Sequence, residues 1–123
     1  MKRLSLLGLA LFQLACAPDF GGLDIDLVAG PTEAQVDADG VVVPEGSVVA
    51  FEATPIPLQD RREYDEDDEL TLSSLNEEIA LVAPGTRSGL WTVLGIAAGE
   101  TELEVLINGK VETRIPLVVE PAS

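Results

Sequence analysis

The sequence of 123 residues contains no histidine and one cysteine. Without histidine, the chain has no Ser-His-Asp or Cys-His catalytic relay, no imidazole metal ligand and no imidazole acid or base for work near neutral pH. A single cysteine has no partner for a disulfide within the chain and cannot build a zinc site from several thiolates. These two absences exclude the commonest nucleophilic and transition-metal chemistries.

Basic side chains are also scarce, since 7 Lys and Arg stand against 22 Asp and Glu, for a formal net charge of −15. Such a chain repels the phosphates of nucleic acids, so no nucleic-acid partner is expected. Carboxylates could form a glycosidase pair, but no pair is marked as buried, and aromatic residues that would stack on a sugar make up only 4%. We therefore expect one domain that is not an enzyme and holds no cofactor, with calcium as the one ion to consider.

The N-terminus has the pattern of an export signal. Lys2 and Arg3 precede an apolar stretch, Leu4–Leu14, which is too short to cross a bilayer as a helix, because that takes about 20 residues. A positive start before a short apolar segment is typical of a secretory signal peptide. Residues 1–15 are therefore predicted to be a helical signal peptide that is removed from the mature protein.

Two cleavage sites are compatible with the end of this segment. Ala15–Ala17 fits an A-x-A site, but cleavage there would leave Pro18 first, and proline has a fixed φ and no N–H. Gln13–Cys16 instead resembles the lipobox of bacterial lipoproteins, in which cleavage precedes the cysteine and its thiol then carries diacylglycerol. The first site predicts a secreted or periplasmic protein, and the second predicts a lipid anchor.

The lipobox resemblance implies a location as well as an anchor. Cys16 would be the lipidation site, and residues 16–22 would form a tether to the folded part. Ala17 rather than Asp after the cysteine resembles the signal for the outer membrane of a Gram-negative bacterium. We therefore expect an exported protein that is lipid-anchored in the cell envelope. A protein secreted without lipid and an uncleaved anchor are the alternatives.

Residues 23–123 are predicted to form one all-β domain. Gly, Pro and Asn interrupt this part at short intervals, and Val, Ile, Leu and Thr dominate the stretches between them. Apolar and polar residues alternate in Val49–Thr54 and again in Thr101–Ile107, which is the period of a half-buried strand. The pattern favours an immunoglobulin-like β-sandwich of about seven short strands.

Two local turns can also be predicted. Asn76–Ile79 could form a single helical turn capped by Asn76. Asn108-Gly109 is the stronger signal, since both residues tolerate positive φ and join two strands in a tight hairpin. The residues of this hairpin that are expected to face the core are Leu103, Val105, Ile107, Val111, Ile115, Leu117 and Val119.

Three segments of the domain resemble one family, in the family's own order. Val43–Thr54 is similar to the "Leu-x-x-Gly-x-x-x-x-Leu-x-Ala-Thr" opening of the group 2 bacterial immunoglobulin-like domains. Leu70–Asn76 followed by Ile79–Val82 resembles the "Trp-Ser-Ser-x-Asn … Val-Ala-x-Val" block, with Leu72 in place of the tryptophan. Val93–Leu103 is similar to the "Val-x-Gly-x-x-x-Gly-x-Thr-x-Ile" block, which is the most specific of the three.

The resemblance implies an immunoglobulin-like sandwich of the kind carried by surface, adhesive and wall-associated proteins, a family without a common catalytic site. Gly95 and Gly99 of the last block are expected to bracket a tight corner between two strands. Together with the N-terminal signal, this predicts a cell-envelope lipoprotein with a structural, adhesive or protein-interaction role. The expected partners are the membrane, through the lipid, and another envelope or surface protein.

The segment Asp60–Glu69 contains one aromatic and no aliphatic residue, so a solvated loop is the first interpretation. Its five consecutive acids also offer the hard oxygen ligands that Ca²⁺ takes. A cation-binding or ligand-binding surface protein is therefore the alternative function. The candidate calcium ligands are Asp65, Asp67, Asp68 and Glu69, and the candidate contacts for a partner are Arg61, Arg62 and Tyr64.

Overall fold

The computed structural model describes residues 19–58 and 63–122. Within these ranges the chain forms nine β-strands and no helix, so the all-β class is confirmed, with more strands than the seven expected. No helix in the same ranges is long and apolar enough to span a bilayer. The predicted signal peptide and Cys16 lie outside the described residues. The strands are β1 Phe20–Ala29, β2 Gln35–Asp37, β3 Gly40–Pro44, β4 Val48–Pro57, β5 Leu70–Ser74, β6 Ala80–Pro84, β7 Leu90–Gly95, β8 Gly99–Ile107 and β9 Lys110–Glu120.

Two sheets stack face to face. One has four strands in the order β1-β4-β7-β6, and the other has five in the order β2-β3-β9-β8-β5. The strand pairs are antiparallel except for β3 and β9, which run parallel with Val41 beside Leu117. At the two sides of the stack, β1 lies near β2 and β5 lies near β6. The predicted β-sandwich is therefore confirmed.

The core lies between the sheets and follows from strand alternation. In β8, Leu103, Val105 and Ile107 are buried, whereas the residues between them are not. In the other sheet, Phe51 is completely buried and pairs with Trp91 on the next strand. No polar or charged residue of the described chain is buried. The buried apolar residues are Leu23, Ile25, Ala34, Val41, Val43, Val49, Phe51, Ala53, Leu72, Ala80, Trp91, Val93, Leu103, Val105, Ile107, Ile115, Leu117 and Val119.

The predicted hairpin between β8 and β9 is confirmed, but its register contains an irregularity. The turn residues Asn108-Gly109 have φ angles of 53° and 82°, as a tight hairpin turn requires. Leu106 pairs with Val111, whereas Val105 pairs with Thr113, so β9 has one extra residue at this point. The bulge shifts the alternation and leaves Val111 exposed. The expectation that Val111 faces the core is therefore wrong.

The connections gather at two opposite ends of the sandwich. One, here named the corner end, carries residues 45–47, 75–79 and 96–98 together with the last residues of β9. The other, here named the acidic end, carries loop 63–69, turn 108–109 and the start of β1. The chain therefore enters the sandwich at the acidic end and leaves it at the corner end.

The corner end is a close approach of backbones around Gly95. β7 ends at Gly95 and β8 begins at Gly99, so the two glycines do bracket the corner. The Gly46 amide donates to the Gly95 carbonyl at 2.8 Å, and the Gly95 amide donates to the Ser47 carbonyl at 3.0 Å. A Cβ atom on Gly95 would lie 2.7 Å from the carbonyl oxygen of Pro44. Only glycine fits there without displacing backbone.

Two further local predictions have different outcomes. The capped turn at Asn76 is confirmed, because its Oδ1 accepts from the Glu78 amide at 3.0 Å and its carbonyl accepts from the Ile79 amide at 3.1 Å. The predicted tether, by contrast, runs to residue 22. In the structure β1 begins at Phe20, and Gly22 pairs with Ile56. The folded part of the chain therefore starts a few residues earlier than the composition suggests.

Candidate functional site

The acidic end holds most of the residues that the sequence singles out, and the turn within loop 63–69 is built by its own carboxylates. The Asp68 amide donates to the Asp65 carbonyl at 3.1 Å. The Asp67 amide donates to Asp65 Oδ1 at 2.8 Å, and the Asp65 amide donates to Asp68 Oδ2 at 2.9 Å. Aspartate suits these positions because its short side chain can satisfy backbone amides two or three residues away.

Asn108 joins this turn to the β8–β9 hairpin. Its backbone amide donates to the Glu69 carbonyl at 2.8 Å, and its Oδ1 accepts from the Glu69 amide at 2.8 Å. Its Nδ2 donates to Asp68 Oδ1 at 3.0 Å. The sequence predicts Asn108 only as a turn residue. Its partners lie 39 and 40 positions earlier in the chain, so no local signal reveals the second role.

A cleft of about 980 Å³ lies between this loop and the β6–β7 connection. Leu72, Val82, Leu90 and Trp91 line its apolar side, and loop 63–69 lines the other side. The cleft is within the size range of ligand sites in proteins, which are mostly apolar with a few converging polar groups. Here the polar groups are mainly carboxylates, so the cleft joins an apolar surface to a negatively charged one.

Tyr64 lines this cleft and is not a freely exposed aromatic residue. Its side chain is half-buried and its hydroxyl oxygen is buried. Arg61 and Arg62, the other two candidate contacts, lie outside the described residues. The predicted contact of this loop with a partner therefore stays a prediction.

The candidate calcium ligands Asp65, Asp67, Asp68 and Glu69 lie together in this turn. Across residues 19–58 and 63–122, no group of three or more His, Cys, Asp and Glu side chains is placed to hold a metal ion. Oxygens of Asp65 and Asp68 accept hydrogen bonds within the loop and from Asn108. Calcium binding by this loop therefore stays the untested alternative.

Basic side chains do little to offset the acidic surface. The described ranges contain three, and each lies in an ion pair with a glutamate. The Arg87–Glu52 pair is exposed on both sides, and such a pair contributes about 0–1 kcal/mol because water and salt screen the attraction, whereas Glu112 and Glu104 are only partly exposed. The pairs are Arg87 Nη2 with Glu52 Oε1 at 2.6 Å, Lys110 Nζ with Glu112 Oε1 at 3.6 Å, and Arg114 Nε with Glu104 Oε2 at 3.3 Å.

Comparison with known proteins finds a likeness in structure. No protein-family model matches the chain, and no curated protein matches it. The chain is similar to the crystal structure of domains 4 and 5 of the S-layer protein SbsC, at 26% identity and a TM-score of 0.55, over 77% of this chain and 54% of that one. Domains 5–6 of SbsC give 26% identity and a TM-score of 0.54 over 76% and 45%. Domains 4–9 give 21% identity and a TM-score of 0.60 over 87% and 15%.

This likeness relates the sandwich to the β-domains of a surface-layer protein. The chain spans about half the length of the two-domain structures that it matches. The match at 21% identity shows the fold alone. The resemblance to group 2 bacterial immunoglobulin-like domains is supported by no family model and stays a prediction, as does the lipobox at Cys16.

Proposed function

We propose that this chain is an exported module of the cell surface with a structural role, carried out through contacts with other surface or envelope proteins. The observation that carries the proposal is the likeness of its sandwich to domains of the S-layer protein SbsC at 26% identity. In finer terms, we propose a lipoprotein with one immunoglobulin-like domain, held by Cys16 in the outer membrane and adhesive towards another envelope protein.

The path of the chain supports such a spacer role. Entry at the acidic end and exit at the corner end place the two termini of the sandwich far apart. The 11 residues of β9 extend over about 36 Å, at about 3.3 Å for each residue. A domain held at its N-terminus would therefore present its corner end about that far from the anchor.

The acidic surface supports attachment through lipid instead of through charge. The chain has 22 acidic and 7 basic side chains, and two of the basic ones, Lys2 and Arg3, lie in the predicted signal peptide, so the domain is repelled by anionic headgroups. A diacylglycerol on Cys16 and an amide-linked chain on its amino group would together provide the several acyl chains that stable anchoring takes. The lipid would hold the protein at the membrane, and the charge would keep the folded domain in water.

Cys16→Ser tests the anchor and also separates the two cleavage sites. With the lipobox, the variant precursor should stay uncleaved and incorporate no labelled palmitate, whereas the wild-type chain should incorporate it. The A-x-A site does not depend on its middle residue, so that site predicts cleavage and release of the same variant. Continued palmitate labelling of Cys16→Ser would contradict lipidation at this residue.

The surface role is tested by cross-linking whole cells that express the full chain and then purifying it from the membrane fraction. We expect another envelope protein, or further copies of the chain, to be recovered with the wild-type protein. The Cys16→Ser variant is the matched control, because it retains the whole sandwich and lacks the anchor. Recovery of the wild-type chain alone would count against a structural role.

A further inference from the structure

The point at which the chain enters the sandwich is fixed by the fold. The Leu58 amide donates to the Asp19 carbonyl at 2.9 Å, and Phe20 pairs with Pro57. Asp19 is therefore tied to the end of β4 before β1 begins. An anchor on the N-terminal side is therefore connected to the domain at this corner of the acidic end.

The segment between the proposed anchor and this corner is short. Three Cα–Cα steps lead from Cys16 to Asp19, and a fully extended chain covers at most about 3.6 Å for each residue, or about 11 Å in all. Acyl chains on Cys16 would hold that residue at the level of the lipid headgroups. The corner thus stays within about 11 Å of the lipid surface, a distance much shorter than the roughly 36 Å length of the sandwich.

Two large apolar side chains are exposed next to the entry point. Ile56 is 46% exposed and Leu58 is 47% exposed. The β1 residue opposite Ile56 is Gly22, which has no side chain to cover it. Leu58 follows the last residue of β4 and carries the hydrogen bond that fixes Asp19. These apolar groups therefore lie where the tether brings the lipid surface closest.

Two other surfaces of the domain are less favourable on the membrane, and the exposed apolar residues Leu75 and Ile96 lie at the corner end, opposite the anchor. The outer face of the five-stranded sheet carries Glu100, Glu102 and Glu104 on one strand. Loop 63–69 at the far side of the acidic end carries a run of carboxylates. Carboxylates lose hydration at a lipid boundary without gaining a partner, so both surfaces favour water. The corner of β1 and β4 offers the apolar side chains of Ile56 and Leu58 beside a single acidic residue, Asp19.

From these observations we propose that the corner that exposes Ile56 and Leu58, where the chain enters β1, rests on the lipid surface that holds the anchor. The sandwich then tilts so that loop 63–69 remains in water and the corner end points away from the membrane. This placement relies on the proposed lipidation of Cys16. Beyond lipidation, the placement specifies which surface of the domain faces the lipid and which surface is left for a protein partner.

The test uses the mature chain from Cys16 onward, which contains the entire core from Leu23 to Val119. The single cysteine of the chain is coupled to a maleimide lipid in phosphatidylcholine vesicles, so the attachment is unique and does not depend on cellular lipidation. Leu58→Trp is compared with Leu81→Trp, a matched control on β6 with a similar exposure of 40%. The wild-type chain gives the background of Trp91.

Quenching of tryptophan fluorescence by brominated lipids is the readout. We expect it to be about twofold or more stronger for Leu58→Trp than for Leu81→Trp, because a side chain at the headgroup boundary lies within reach of the bromines. Equal quenching, or stronger quenching at Leu81, would overturn the placement. Ile56→Trp serves as the second variant if Leu58→Trp alters the thermal transition. Absence of palmitate labelling of the wild-type chain in cells would contradict lipidation of Cys16. It would not decide the result of the vesicle experiment, because there the lipid is attached chemically.

Discussion

At the corner end, mainly backbone hydrogen bonds join the connections to one another, with one side-chain bond from the Ala98 amide to Glu45 Oε2 at 3.0 Å, whereas at the acidic end Asn108, mostly through its side chain, joins a turn of carboxylates to the final hairpin. The corner end has the two bonds between Gly95 and residues 46–47, and a third from the Glu45 amide to the Glu120 carbonyl at 2.8 Å. The acidic end has the three contacts of Asn108 with Asp68 and Glu69.

The difference shows that the two ends depend on different properties of the sequence. At Gly95 the corner end requires the absence of a side chain, because backbones approach one another too closely for a Cβ atom, as they also do at Gly21, where β1 begins at the acidic end. The acidic end requires particular polar atoms, and its contacts are exposed to water. Among the contacts that join the connections, substitution should therefore cost most at Gly95 and least among the surface charges.

Gly95→Ala should have the largest effect. The added Cβ would lie 2.7 Å from the Pro44 carbonyl oxygen and 3.2 Å from a methyl group of Val119, and the backbone atom cannot move aside without disturbing β3. Overpacking of this kind costs about 2–3 kcal/mol of unfolding free energy. For a domain of this size we expect the midpoint of thermal unfolding to fall by about 10–20 °C.

Gly40→Ala is the matched control for this prediction. A Cβ at Gly40 would meet its nearest atom, the Pro116 carbonyl oxygen, at an ordinary 3.6 Å. We expect unfolding free energy to change by about 0.5 kcal/mol or less, as at most surface positions. Equal midpoints for the two alanine variants would show that the corner end can relax around a side chain, and the contrast between the ends would then fail.

Asn108 should give the second largest effect, and two substitutions separate its roles. Asn108→Gly keeps the positive φ but removes the bonds to the Glu69 amide and Asp68, so a loss of about 1 kcal/mol is expected. Asn108→Ala also forces an alanine into the left-handed region, which adds about 1 kcal/mol. Urea unfolding of Asn108→Gly measures the loss of the hydrogen bonds, and its difference from Asn108→Ala measures the added backbone strain.

Hydrogen exchange of the Glu69 amide gives an independent measure of the same contact. This amide donates to Asn108 Oδ1 at 2.8 Å, so its exchange should accelerate in both variants while amides of β8 stay protected. Unchanged exchange at Glu69, with wild-type stability for Asn108→Gly, would mean that the asparagine does not hold the loop.

The same contrast explains which parts could be predicted from the sequence. Signals that act within a few residues are correct: the Asn108-Gly109 turn, the alternation in β8 and the glycines of the corner end. The prediction that Val111 faces the core is wrong because the bulge that exposes it is set by pairing with the neighbouring strand. Nothing in the sequence of β9 itself marks an extra residue. The predicted tether overlaps the start of β1 because Gly21 and Gly22 are weak strand formers; in the structure Phe20 and Gly22 pair with β4, and Gly21 lies at the irregularity between them.

The sequence predicts which types of residue make up the candidate site, but it does not predict how they are arranged. The acidic run identifies the loop, yet the hydrogen bonds of Asp65 and Asp68 depend on how the turn closes. The role of Asn108 and the exposed position of Ile56 both depend on neighbours that are distant in the chain. Long-range pairing decides these features, and one sequence carries no direct signal of it.

Arg87→Ala should have a smaller effect than either change above. Arg87 Nη2 lies 2.6 Å from Glu52 Oε1, but the two side chains are 58% and 49% exposed. A solvated pair of this type contributes about 0.5 kcal/mol or less. Urea unfolding at about 0.05 M and 0.5 M NaCl should show a small loss that shrinks with salt, because salt screens exposed charges. A loss above about 1 kcal/mol that resists salt would contradict this estimate and place a strong ion pair between β4 and the β6–β7 connection.

Calcium should have the smallest effect, with no heat of binding and no shift in the thermal midpoint at about 1 mM CaCl₂. Oxygens of Asp65 and Asp68 already accept three hydrogen bonds that close the loop, so an ion bound to them would compete with those bonds. Asp67→Asn is the matched variant, since it removes a candidate ligand while the Asp67 amide still donates to Asp65. A saturable heat that the wild-type chain shows and Asp67→Asn lacks would reverse the expectation. The acidic end would then be an ion site whose loop rearranges on binding. The two ends would differ in function as well as in their contribution to stability.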